Sequence, residues 1–246
     1  MSKKVSIITV SYNSENTIKD TIESILNQTY NNIEYIIIDG LSTDKTVDII
    51  KSYESKFLEK NIEYKWISEK DNGIYDAMNK GIIHSTGDIV GIINSDDWYE
   101  KSAIEKIINR YNQDKFDMIY GDLRIIGKNK NYIKKAKLKK IVTTRYWNHP
   151  TTFITKEVYR NNLYKLESIN DDLDLMLKIR KNKTLKVVVI NEILANFRLG
   201  GVSNIKSLKR VARSIQNRNN IYKNNGYSKL YYLDNLIIEI GKYLLG

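Results

Sequence analysis

The chain has 246 residues, a single Pro, no Cys and a formal charge of +11 at pH 7. That length suits one large domain, or one domain with a tail. Without cysteine, disulfides and thiolate zinc sites are excluded. With His84 and His149 as the only histidines, a bound metal must be held by oxygens, which favours Mg²⁺ or Mn²⁺. The positive charge calls for an anionic partner: nucleic acid, anionic lipid or a phosphorylated substrate. The excess of Tyr over Phe, 18 to 4, reads as the codon bias of an AT-rich gene. Met1-Ser-Lys-Lys runs straight into an apolar segment too short for a signal peptide. No apolar run is long enough to span a bilayer, so the expected location is the cytoplasm.

The first half alternates strands and helices. Val5 to Val10 reads as a buried strand. Asn13 or Ser14 should cap a helix reaching about Gln28, with Ile18, Ile22, Ile25 and Leu26 on one face. Ile33 to Ile38 is the second strand. Ser42 or Asp44 should cap a helix carrying Val47, Ile50 and Tyr53. Tyr64 to Ile67 is the third strand, and Gly73 to His84 a helix with Ile74, Ala77, Met78 and Ile82 inward. Ile89 to Ile93 is the fourth strand, followed by a helix bearing Ile104, Ile107, Ile108 and Tyr111. Such alternation builds a mostly parallel sheet covered on both faces.

The rhythm then breaks. Phe116 to Ile126 is a long strand with no crossover helix behind it. Lys128 to Lys140 is a lysine-rich run, read as a solvated loop or edge. Thr151 to Thr155 and Leu185 to Leu194 are strands, with a helix at Asp172 to Lys181. This half should add antiparallel edge strands and form the second wall of a cleft. From about Ser203 the chain reads as a basic helical tail with Lys206, Lys209, Arg210, Arg213 and Arg218. Leu230, Leu233, Leu236, Ile237, Ile240 and Leu244 share one face of its last helix. That face suits packing against the domain or a partner, or peripheral contact with a membrane surface.

Chemistry is expected at the strand ends. In open α/β sheets, ligands bind beyond the carboxyl ends of the strands. The fourth strand there runs into Asn94-Ser-Asp96-Asp97. Two adjacent carboxylates repel unless a cation lies between them and a ligand, and a divalent metal bridging a diphosphate satisfies both. Helix capping is the simpler alternative for this pair. The other tips are Thr9-Val-Ser-Tyr12-Asn13, Ile38-Asp39-Gly40 and Ser68-Glu-Lys70-Asp71-Asn-Gly73. Tyr12 can stack on a flat base, and Asp39 can accept from a base or a ribose hydroxyl, or hold a turn.

These segments together resemble the family 2 glycosyltransferases. The similarity runs through Val5-Ser-Ile-Ile-Thr-Val-Ser-Tyr-Asn13, Ser24-Ile-Leu-Asn-Gln-Thr-Tyr30 and Glu34-Tyr-Ile-Ile-Ile-Asp-Gly-Leu-Ser-Thr-Asp-Lys-Thr46. It continues in Asp71-Asn-Gly-Ile-Tyr-Asp-Ala-Met-Asn-Lys-Gly81 and Gly87-Asp-Ile-Val-Gly-Ile-Ile-Asn-Ser-Asp-Asp97, and covers about residues 4 to 200. The resemblance implies an α/β fold of the GT-A type, a Rossmann-like, mostly parallel mixed sheet flanked by helices. Residues 1–202 would form this domain, with a nucleotide-sugar half at 1–112 and an acceptor and base half at 113–202. Residues 203–246 would be the tail. It also implies an inverting enzyme that takes a sugar from a nucleotide-diphosphate sugar, a UDP-sugar first, to a glycan or lipid-linked acceptor, with no nucleic acid involved.

Site roles follow from the same resemblance. Thr9 and Tyr12 would border the base, Asp39 would bind base or ribose, and Lys70 and Asp71 would contact the nucleotide. Asp96 and Asp97 stand at the family's Asp-x-Asp position, its first acid replaced by Asn94. Asp97 would then ligate the metal, and Asp96 the ribose or metal. Ser168-Ile-Asn-Asp-Asp-Leu-Asp174 resembles the segment bearing the catalytic base, which aligns with Asp172, with Asp171 and Asp174 as alternatives. Acids in a first helical turn also have a purely structural use. Trp147 and His149 are candidates for the acceptor side, His149 also for the metal, and Arg198 for neutralising the diphosphate. Pro150 stands where the family usually has Gln. Gly200 and Gly201 would allow a loop there to close.

Two other classes compete. A nucleotidyltransferase wants a Gly-rich basic loop after the first strand, where this chain has Ser11-Tyr-Asn-Ser-Glu-Asn16. A nucleic-acid binder wants cations interleaved with exposed aromatics, whereas the positive charge here lies mainly in the second half.

Overall fold

A computed structural model of the chain describes residues 2–128, 130–200 and 208–245. Lys206 and Gly201 to Ser203, named above for the tail and the closing loop, lie outside the described residues, as do the side chains of Arg210 and Leu244.

Four strands form the parallel wall: β1 (Val5–Ser11), β2 (Ile33–Asp39), β3 (Glu63–Ser68) and β4 (Ile89–Asn94). They stand in the order β3-β2-β1-β4. β1 and β2 are buried at every position, which is why they read as unbroken apolar runs. Alternate residues feed two cores. Val5, Ile7, Tyr35 and Ile37 face one layer, while Ile8, Val10, Ile36 and Ile38 face the other, as the two-residue period of a strand requires.

The first layer is closed by α1 (Ile18–Leu26), α2 (Thr46–Lys51), α3 (Glu54–Glu59) and α5 (Ala103–Asp114). Of the residues expected on α1, Ile18, Ile22 and Ile25 are fully buried and Leu26 nearly so. The helix begins later than its polar residues suggest. Asn13, at a φ of 48°, accepts from the Thr43 N–H at 2.9 Å. The Ser14 N–H donates to Thr46 Oγ1 at 2.7 Å. These residues fasten the β1 tip to the loop after β2 instead of capping α1.

The other layer holds α4 (Ile74–His84) and α7 (Asp171–Lys181), with α8 (Leu208–Asn224) over it. Ala77, Met78 and Ile82 pack inward as expected, but Ile74, the first residue of α4, is exposed.

The second half extends the same sheet. β6 (Met118–Ile126), β8 (Phe153–Thr155) and β9 (Val187–Arg198) follow β4 in the order β4-β8-β6-β9, and β5 (Trp98–Tyr99) pairs with the far side of β9. β8 is antiparallel to both β4 and β6, whereas β6 and β9 are parallel. The expectation of an antiparallel edge holds at β5, which ends the sheet antiparallel to β9, whereas β8, also antiparallel, is interior and joins the two halves. β7 (Asn131–Lys134) lies on the end of β6, so part of the lysine-rich run is a strand. A short helix, α6 (Lys156–Arg160), follows β8. The resulting α/β fold, a mostly parallel mixed sheet flanked by helices, is of the GT-A type.

α8 and α9 (Tyr231–Leu245) form a hairpin against this body. α8 is tied to α7 by Asn225 Nδ2, which donates to Asp174 Oδ1 at 2.6 Å, and by Lys181 Nζ, which donates to the Asn225 carbonyl at 2.6 Å. Among the described residues no helix is long and apolar enough to cross a membrane.

Candidate active site

The strand register brings the expected tips side by side. Ser11 lies opposite Asp39, Asp39 opposite Ser68, and Val10 opposite Asn94. Asp39 is fully buried. Its Oδ1 accepts from Ser11 Oγ at 3.0 Å and Ser42 Oγ at 2.5 Å. Its Oδ2 accepts from the Ser42 N–H at 2.9 Å and Ser68 Oγ at 2.8 Å. Asp39 thus pins three tips together, including the turn through Leu41 at a φ of 65°.

Tyr12 projects from the β1 tip and is 64% exposed. Gly40 explains what sits beside it. A Cβ on Gly40 would fall 2.5 Å from Asp71 Oδ2 and 3.5 Å from the Tyr12 ring. The missing side chain is what lets Asp71 and Tyr12 approach one another across the crevice. Asp71 is held in turn by the Gly73 N–H at 2.8 Å. Lys70 is exposed, and its carbonyl accepts from Lys80 Nζ at 2.9 Å. Thr9 stands apart from this group. It is fully buried and its hydroxyl pairs with Tyr35 Oη at 3.1 Å, because the strand period turns it into the core layer.

The acids after β4 are the most unusual part of the crevice. Asp97 is fully buried. Its Oδ1 accepts from the Arg198 N–H at 3.0 Å, while Oδ2 has no partner, and neither has the buried Asn94 Oδ1 nearby in the chain. Burial, with Asp96 adding like charge, pushes the Asp97 carboxyl well above the ordinary carboxylate range, against the pull of Arg198. Burial raises Asp96 as well. Unpaired buried oxygens are expensive. Two carboxylates and an amide oxygen form a hard-oxygen set that suits Mg²⁺ or Mn²⁺ completed by phosphate oxygens. The described residues hold no group of three or more acidic, His or Cys side chains that could form a metal site by themselves.

Arg198 is engaged at this edge. Its Nε donates to the Asp96 carbonyl at 3.2 Å, its guanidinium pairs with Asp20 at 2.5 Å, and it lies over the Trp98 ring at 4.9 Å. Asp20 and Trp98 were not among the candidates. Neither was Ser95, whose hydroxyl meets that of Ser14 at 2.8 Å. All three lie far in sequence from the residues they serve, and only the polar character of the tips hints at them.

The three acids of α7 separate cleanly. Asp171 is buried and takes the Glu167 N–H at 2.9 Å and the Ser168 N–H and hydroxyl at 3.0 Å, so it holds the loop before the helix. Asp174 is buried between Lys178 at 2.9 Å, Lys165 at 3.3 Å and Asn225. Asp172 alone is partly exposed. Its described hydrogen bonds fall on Oδ1, from Tyr75 Oη and the Leu173 N–H, both at 2.9 Å.

His149 is close to this acid. Burial lowers its pKa, with Asp172 opposing, and its Nε2 lies 3.3 Å from Tyr164 Oη. Trp147 is nearly buried and its indole N–H donates to Thr152 Oγ1 at 2.9 Å. It packs edge-on against His149 with ring centroids 5.9 Å apart and offers no face to a sugar in this structure.

Comparison with known proteins places this geometry. Residues 6–173 match the sequence model described as Glycosyl transferase family 2. TuaG of Bacillus subtilis (strain 168), named for teichuronic acid biosynthesis, is 38% identical over 102 residues, which are 42% of this chain and 39% of TuaG. An uncharacterized glycosyltransferase of Haemophilus influenzae is 28% identical over 204 residues, covering 81% of this chain and 80% of that one. In TuaG, in glycosyltransferase GlyA of Streptococcus pneumoniae and in EpsH of Bacillus subtilis, by contrast, the shared segment is 39%, 16% and 29% of the relative's length. Among solved structures, Staphylococcus aureus TarS 1–349 in complex with UDP superposes with a TM-score of 0.69 at 17% identity, over 99% of this chain and 72% of that one. The mannosyltransferase PcManGT from Pyrobaculum calidifontis, in complex with GDP-Man and Mn²⁺, gives 0.68 at 12% identity, over 100% of this chain and 76% of that one.

Proposed function

The chain belongs to glycosyl transferase family 2, and from that premise we propose that it is an inverting transferase acting in the cytoplasm. It moves a sugar from a nucleotide-diphosphate sugar, a UDP-sugar first, to a hydroxyl of a glycan or lipid-linked acceptor in bacterial polysaccharide or glycolipid assembly. The observation that carries this reading is the pair of orphaned buried oxygens, Asp97 Oδ2 and Asn94 Oδ1, at the end of β4, facing the crevice side where ligands of such sheets bind. The UDP of TarS and the GDP-Man and Mn²⁺ of PcManGT support a nucleotide-sugar donor and a divalent cation for this chain too.

Tyr12 stacks on the base, and Asp71 accepts from the nucleotide beside it. Asp39 acts beneath them, by holding the tips that border the base. Asp97 and Asp96, with Asn94, would hold Mg²⁺ or Mn²⁺, and a cation bound there would supply charge neutralisation of the diphosphate. Arg198 orders Asp97 through its N–H and keeps its guanidinium at the same edge. Asp172 accepts the proton of the acceptor hydroxyl, the hydroxyl oxygen attacks the anomeric carbon, and the bond from that carbon to the diphosphate oxygen breaks, the nucleoside diphosphate leaving as an anion. Tyr75 orients Asp172, and His149 borders the acceptor side.

The test is nucleotide release from a panel of UDP- and GDP-sugars with and without Mn²⁺, using Asp97→Ala and Asp172→Asn as controls. Turnover that ignores the metal and survives Asp97→Ala sinks the reading of the acids. NMR of the product decides the stereochemistry, and a product that keeps the donor's anomeric configuration overturns the single displacement.

A further inference from the structure

The helical hairpin carries its hydrophobicity on the wrong side for a protein that meets only water. On α9, Asn235 is fully buried and Glu239 nearly so, while Leu233 is 64%, Ile237 51%, Ile240 42% and Leu236 40% exposed, with Leu230 just ahead at 83%. These positions follow the i, i+3, i+4, i+7 spacing of one helix face. The helix has turned its polar edge into the domain. Arg218, 2% exposed, donates from Nε to Asn235 Oδ1 at 3.2 Å and from its guanidinium to Thr144 Oγ1 at 2.8 Å, and lies 3.8 Å from Glu239. Asn235 Nδ2 donates to Asn219 Oδ1 at 2.9 Å. Asp234 is clamped by Thr143 and Arg145, both at 2.6 Å.

Charge selects what the outer face meets. Asp234 and Glu239 are the only acids between residues 208 and 245, and both are spent on inward contacts. Lys209, Arg213, Lys223 and Lys229 are exposed. Lys223 and Lys229 line one groove between the two helices together with Ile215 and Tyr232, next in sequence to the apolar series. Exposed leucine and isoleucine with cations alongside and no free acid is the pattern of a helix lying in an anionic lipid interface. We infer that the outer face of α9, with the groove of Lys223 and Lys229 at its amino-terminal end, seats the protein on the surface of an anionic lipid bilayer. This surface lies outside the crevice and uses none of its residues. Because α8 is bonded to α7, the helix that bears Asp172, the seat is coupled to the acceptor half of the molecule.

The test is co-sedimentation with vesicles of phosphatidylglycerol and phosphatidylcholine in equal parts against vesicles of phosphatidylcholine alone. The full chain should pellet with the first and far less with the second. Leu233→Glu with Ile237→Glu should lower the partition at least roughly tenfold, with nucleotide release from the donor in detergent-free solution retained. Lys223→Glu with Lys229→Glu should remove the preference for the anionic vesicles. Ile237→Trp should be quenched by brominated acyl chains, a signal that a misfolded variant does not mimic. Asp97→Ala should pellet like the parent, so loss of catalysis and loss of seating are separable. Failure of the parent to pellet, equal pelleting of the double glutamate variant, or a dimer that Ile237→Glu splits into monomers overturns the inference. In the last case the occupant is a second copy of the chain.

Discussion

The two ends of the parallel sheet each bury a carboxylate, and they treat it in opposite ways. At the amino end, Glu34 is fully buried and accepts from Ser6 Oγ at 2.6 Å, the Thr86 N–H at 2.7 Å, Thr86 Oγ1 at 3.0 Å and Lys65 at 2.9 Å. Burial alone would raise its pKa, but these donors hold it down to about 2. At the carboxyl end, Asp97 has one donor and one orphaned oxygen, and burial drives it well up. The same sheet therefore uses one acid to secure its foot and keeps another under-satisfied at its mouth. The second arrangement is tolerable only where a ligand completes it.

Breaking the mouth has the largest expected effect. Asp97→Ala should cut metal-dependent nucleotide release by about 10³-fold or more, in line with losing a transition-state charge clamp, and is read by steady-state turnover. Asp172→Asn should lower kcat by about 10²- to 10³-fold with the donor KM nearly unchanged, while Asp171→Asn should act on stability instead. At the foot, Glu34→Gln should cost about 3 kcal/mol of stability at neutral pH and leave kcat alone, following the gap between about 2 and the ordinary value. That stability is present above the unfolded pKa and is lost as pH falls from about 4.5 toward 2, so acid denaturation should be steeper in the parent than in Glu34→Gln.

The smallest effect has the opposite sign. A carboxyl whose folded pKa is raised costs stability above its unfolded pKa, and the cost disappears in acid. Asp97→Asn should therefore raise the metal-free melting temperature at pH 8 by the equivalent of about 1–2 kcal/mol, with no gain at pH 3. A thermal scan at the two pH values reads it, and a lower melting temperature at pH 8 would remove the contrast between foot and mouth.

The parallel wall was legible because doubly buried strands have nowhere to put a polar residue, so Ile36 to Ile38 and Ile89 to Ile93 announce themselves. The start of α1 was not, because Asn13 spends its side-chain oxygen on Thr43, 30 residues away, and Ser14 its hydroxyl on Ser95, 81 residues away. β5 and β7 have two and four residues and exist only through pairing with β9 and β6, which no local pattern encodes. In the crevice, the acids of β4 and α7 stood out by type and place. What distinguished Asp172 was the pairing of its neighbours: Asp171 is consumed by donors three and four residues upstream, and Asp174 by Lys165, Lys178 and the distant Asn225. Thr9 looked available because its partner, Tyr35, lies 26 residues away, and Trp147 because the turn that brings Thr152 back to its indole N–H is not encoded by a regular period. Arg198 meets Asp97 across 101 positions of chain, a distance over which sequence carries no geometric signal.

β8 is only three residues long, yet it is hydrogen-bonded to β4 on one side and β6 on the other. The first and second halves of the sheet are thus stitched into one continuous backbone fabric, without a seam along which they might swing. Such an enzyme cannot bite like a pair of jaws. Movement at the site must be carried by the segments that overhang the strand ends, above a sheet that does not part.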